Sequence, residues 1–126
     1  MKIAKIVVRI LFGLLLLIFG LNGFLQFMPF PEMSEQAGKF IGALAETGYI
    51  FPIIALLEII VGVLLLSNKY LSLALILIFP IILNAFLFHL FLDIPGIGAA
   101  LIAIVSNVFL FFTNKENYKN ILQMNN

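Results

Sequence analysis

The chain has 126 residues, 63% hydrophobic and only 10% charged, with a mean hydropathy of +1.21. A soluble domain is about a quarter charged, and no soluble core of this length hides so much hydrocarbon, so the composition points to a bilayer as solvent. A net charge of +1 from seven dispersed Lys and Arg argues against a nucleic-acid reader, and the lack of cysteine excludes disulfides, thiol redox chemistry and cysteine-held metal or iron–sulfur clusters in this chain.

A hydrocarbon layer of about 30 Å needs roughly 20 apolar residues as helix. Residues 6–27 form the first such stretch. Lys2, Lys5 and Arg9 before it suggest a secretory signal peptide as the rival reading, but the apolar run outlasts a signal core and no small-x-small cleavage pattern follows. We read an uncleaved helix. Next comes a polar piece with Ser34–Glu35 as a helix start and Phe40, Ile41 and Leu44 at helical spacing. It is too short and polar to span, and it predicts a surface helix over 33–46.

Spans are then predicted over 49–66, 70–92 and 94–112, separated by Ser67-Asn68-Lys69 and by Asp93-Ile94-Pro95-Gly96. Such short connections make neighbours antiparallel, and Pro52 and Pro95 fall in first turns, where a missing N–H costs little. The expected fold is therefore an all-α integral membrane protein. It is a single four-transmembrane-helix antiparallel bundle over 1–126, with a short outer-surface helix between the first and second spans.

Basic residues set the direction. Lys2, Lys5, Arg9, Lys69, Lys115 and Lys119 fall on one side of a four-span topology, and Lys39 alone on the other, beside Glu32, Glu35 and Glu46. The positive-inside rule puts both termini in the cytoplasm. Tyr49, Tyr70 and Tyr118 lie at span ends, where amphipathic rings are at home.

This threading gathers scattered polar residues. At about 1.5 Å per residue, Glu58 lies roughly 12–14 Å below the outer boundary, Asn84 roughly 12 Å and His89 about 5 Å, with Asp93 at the edge. Asn22 and Gln26 lie near the outer end of the first span, four residues apart on one face. An acid near mid-bilayer costs at least ~2.5–3.5 kcal/mol and faces a partner inside the bundle, and matching depth makes Asn84 the expected partner of Glu58. Each residue also has a structural reading. Asn22 and Asn84 serve as helix–helix glue, Asp93 as a cap for the last span, and His89 as a partner of terminal carbonyls. Arg9 snorkels to headgroups, and Gly13 with Gly20, or Gly96, Ala100, Ala103 and Asn107, form packing stripes.

The runs RILFGLLLLIFGLNGFLQFMPFP, ETGYIFPIIALLEIIVGVLLL and LALILIFPIILNAFLFHLFLD, with Arg9, Gly13, Gly20, Asn22, Pro52, Glu58, Gly62, Pro80, Asn84 and His89, resemble the DoxX-like family of small bacterial membrane proteins. The resemblance covers nearly the whole chain and implies a four-helix bundle in the bacterial inner membrane. It also implies an association with redox complexes, including thiosulfate:quinone oxidoreduction. Without cysteine, any sulfur chemistry belongs to a partner subunit.

Three functional classes follow. The first is a redox-associated membrane subunit binding a quinone-like or other small ligand in the outer half of the bundle. Glu58, Asn84, His89, Asn22 and Gln26 are its ligand-binding or proton-relay candidates, with no metal. One histidine cannot supply a bis-histidine haem. The second is a non-catalytic scaffold or assembly partner, engaging a redox subunit or a second copy, whose polar cluster is structural. A proton-coupled transporter is third, because four short helices leave little room for a pore.

Overall fold

The computed structural model describes residues 1–29 and 31–124. Among these residues the fold is all-helical: α1 (Lys2–Leu25), α2 (Glu35–Glu46), α3 (Ile50–Ser67), α4 (Leu71–Leu92), α5 (Gly98–Thr113) and a terminal turn, α6 (Lys119–Leu122). Short 3-10 turns, Ile94–Gly96 and Lys115–Tyr118, precede α5 and α6. Three helices, α1, α3 and α4, are long and apolar enough to cross a membrane. The fourth qualifies only if α5 is counted with the segment Lys115–Leu122, which bends away by 80°.

Side-chain chemistry sets the helix ends. The Ser34 hydroxyl accepts the Ala37 N–H at 3.2 Å, capping α2. Asn68, left-handed at φ 55°, closes α3, and the following Lys69 N–H reaches back to the Leu64 carbonyl at 3.0 Å.

α1 and α3 run in opposite directions with their backbones close together, because glycine removes the side chains between them. A Cβ on Gly62 would lie 2.9 Å from both the Gly13 carbonyl and the Leu17 nitrogen, and one on Gly20 would lie 2.9 Å from the Ala55 carbonyl. This is the close approach that small residues permit between membrane helices. The pairing puts Arg9 beside the end of α3, where its guanidinium donates to the Leu65 and Leu66 carbonyls. The sequence position of Arg9 predicts snorkelling to lipid headgroups, whereas here it donates to carbonyls of the last turn of α3.

α4 packs on α3 and α5, and α1 also meets α5. The buried core joins all four: Phe12 and Leu16, Val61 and Leu65, Ala74, Leu75, Ile78 and Ile82, and Ala103 with Leu110. Its residues sit toward the end of the molecule that gathers the chain termini and the α3–α4 turn. At that end Tyr118, 1% exposed, donates its hydroxyl to the Ser72 carbonyl at 3.0 Å, and burial pushes its phenol pKa above the ordinary value. Tyr118 is thus a buried fastener, not the interfacial ring that its position in the sequence suggested. Tyr49 and Tyr70 are exposed.

The outside of the molecule is apolar. Leu11, Ile53, Leu73 and Ile102 are each more than half exposed, and hydrophobic surface on this scale fits a lipid surrounding rather than water.

Candidate functional site

The opposite end, covered by α2, is built differently. On α4 the buried stripe Leu75, Ile78 and Ile82 continues at helical steps to Ala85 and His89, which are half-buried. On α3 the stripe Leu65 and Val61 continues to half-buried Glu58. Glu58 and His89 therefore lie on the continuations of the core-facing stripes, beyond the part filled by hydrocarbon.

His89 is oriented by Asp93. Its Nδ1 lies 3.1 Å from Asp93 Oδ2 and 3.3 Å from the Asp93 carbonyl oxygen. Both neighbours are acceptors, so Nδ1 carries a hydrogen and donates it, and Nε2 is the ring nitrogen not engaged by Asp93. Asp93 is buried, with its side chain 8% exposed against 24% for His89. The Asp93 carboxylate makes no capping bond to the turn that follows it. The expected cap is replaced by this contact with the imidazole one turn back.

Gly96 completes the arrangement. A Cβ there would lie 2.5 Å from Asp93 Oδ2 and 3.1 Å from His89 Nδ1. The spacing of Gly96 from Ala100 and Ala103 predicts a place in a helix-packing stripe. It instead belongs to the 3-10 turn that closes over the histidine–aspartate pair, while Ala100, Ala103 and Asn107 are the buried stripe of α5.

α2 is fastened beside this pair at two points. The Ser34 hydroxyl donates to the Leu92 carbonyl at 3.0 Å, and Phe40 stacks on Phe88 with ring centroids 5.5 Å apart. The apolar spacing of Phe40 thus finds its partner on α4, next to His89 in the chain.

The remaining expected members sit elsewhere. Asn84 is exposed, and among the described residues no hydrogen bond joins it to Glu58. Two residues beyond Ile82, it is turned about 200° from the buried stripe, so equal depth does not bring it to the same face. Asn22 accepts the Met28 N–H at 2.8 Å through Oδ1, tying down the chain as it leaves α1 rather than bridging helices. Gln26 is exposed and left-handed, with φ 52°. Glu58, His89 and Asp93 hold the inward positions. Among the described residues no three His, Cys, Asp or Glu side chains cluster as metal ligands would.

One polar residue escaped the sequence reading as a polar group. Asn107 is 3% exposed, and its Nδ2 donates to the Leu75 carbonyl at 3.2 Å. It stands in register with Ala100 and Ala103, and that spacing disguised it as one more small packing residue. Its amide was the available signal.

Compared with family models, curated proteins and solved structures, the chain finds no match in any of the three.

Proposed function

We propose that the chain is a multi-pass protein of the bacterial inner membrane, of the DoxX-like kind, with four antiparallel spans and both termini in the cytoplasm. It acts as a redox-associated subunit that binds a quinone-like ligand at the outer end, between α3 and α4 beneath α2. The observation that carries this reading is the imidazole of His89, fixed through Nδ1 by Asp93 with Nε2 left free, on a core-facing stripe that Glu58 matches from α3.

The chemistry follows from donors and acceptors. A quinol hydroxyl donates to neutral His89 Nε2, and a protonated Glu58 donates to a quinone carbonyl. Electrons come from a partner subunit, because this chain has no cysteine to carry them. Exposed Asn84 is peripheral in this arrangement.

Titration of ubiquinone and menaquinone analogues into the detergent-purified protein tests the site. Binding is expected to be lost in the double variant Glu58→Gln, His89→Ala and retained in Asn84→Ala. Unchanged affinity in the double variant removes the site. Topology has its own test, because the cysteine-free chain accepts single probes cleanly. Cysteine at Lys115 is expected to label only from the cytoplasmic side and cysteine at Glu35 only from outside.

A structural role is the second reading, and the tight packing of Gly96 against Asp93 and His89 favours it. On that reading the pair simply fastens the end of α4 to the following turn, and the protein serves as a scaffold for a partner subunit. Asp93→Ala would then lower the unfolding temperature while no quinone raises it.

A further inference from the structure

A groove of about 430 Å³ opens between α4 and α5, away from the Glu58 and His89 end, walled by Leu75, Ile76, Phe79, Pro80, Asn107 and Phe111. Its size falls in the range of small-molecule pockets, about 300–1,000 Å³. Hydrocarbon and aromatic surface make up nearly all of it. The exception is Asn107.

Asn107 is buried, and among the described residues its single hydrogen bond runs from Nδ2 to the Leu75 carbonyl. The orientation of the amide is chemically determined, since only nitrogen can donate to that carbonyl. Oδ1 is therefore left without a partner, yet it is not sealed away as a buried unsatisfied atom, and the residue lines the groove. An acceptor without a donor, in an otherwise apolar wall, selects a ligand that brings its own hydrogen. No charged side chain lines the groove, so a phospholipid headgroup finds no counter-charge there.

We propose that this groove is a binding site for a neutral long-chain alcohol, whose hydrocarbon lies along Phe79 and Phe111 and whose hydroxyl donates to Asn107 Oδ1. Asn107 lies six residues from the end of α5, about 9 Å along the helix. The hydroxyl is thus drawn well below the level of a lipid headgroup.

The test compares 1-hexadecanol with its methyl ether, which has the same chain but no donor, by native mass spectrometry and thermal unfolding of the full chain in detergent. The alcohol is expected to bind about tenfold more tightly than the ether. Asn107→Leu is expected to erase that preference, and Val108→Trp, from the wall of the groove, to block both ligands. Equal binding of alcohol and ether to the native chain overturns the proposal, as does a preference that survives Asn107→Leu. Displacement of hexadecanol by equimolar phosphatidylglycerol overturns it too. Should Asn107→Leu fail to fold, the native comparison together with Val108→Trp decides.

Discussion

The two ends of this molecule solve opposite problems. Toward the termini, four helices close on Phe12, Leu16, Val61, Leu65, Leu75, Ile78 and Leu110, and polar side chains there tie one element to another. Arg9 holds the end of α3, Tyr118 the start of α4 and Asn107 its second turn. At the α2 end the same helix faces carry Glu58 and His89 in place of hydrocarbon, and Asp93 and Gly96 close around the histidine. A filled end holds the helices in register. That register lets the other end keep ionisable groups on inward faces without packing them shut.

The contrast can be broken by mutation, and the largest effect belongs to the filled end. Leu65→Ala, at a fully buried site, is expected to cost about 2–5 kcal/mol in reversible unfolding from mixed micelles. Gly62→Ala comes next at about 1–3 kcal/mol, because the added methyl meets the backbone of α1 rather than a yielding side chain. Removing the hydroxyl in Tyr118→Phe should cost about 0.5–1.5 kcal/mol by deleting its hydrogen bond to the Ser72 carbonyl, read from the same unfolding curves. At the α2 end the sign reverses. Gly42→Ala, where a Cβ meets nothing within 4 Å, should leave stability unchanged or raise it by up to about 1 kcal/mol through helix propensity. A loss there as large as that of Gly62→Ala would show the two ends to be equally packed.

Much of the helical architecture was legible because helices long and apolar enough to cross a membrane need unbroken apolar runs, a constraint that is hard to misread. The all-helical fold and the apolar lengths of α1, α3 and α4 follow from that constraint. Ser34 was readable for a local reason, since a capping hydroxyl needs only its own helix start. What failed to read was azimuth. Helix rise gives depth, and depth alone paired Glu58 with Asn84, yet only the packed stripe reveals which side of α4 faces inward. The same gap sent Arg9 to the headgroups, because nothing local announces that the carbonyls of α3, more than fifty residues away, lie within its reach. His89 and Asp93 stand one turn apart, and that proximity was legible; the closure of Gly96 over them needed the turn to be seen.

The glycine seam between α1 and α3 joins helices that are not consecutive in the chain. At ribosomal speeds of about 5–20 residues per second, some 2–8 s separate completion of the first helix from that of its mate. Through that interval the notched side of α1 is without its partner. The seam therefore closes only after α2 and α3 have both been made, and its timing is written in the order of the helices.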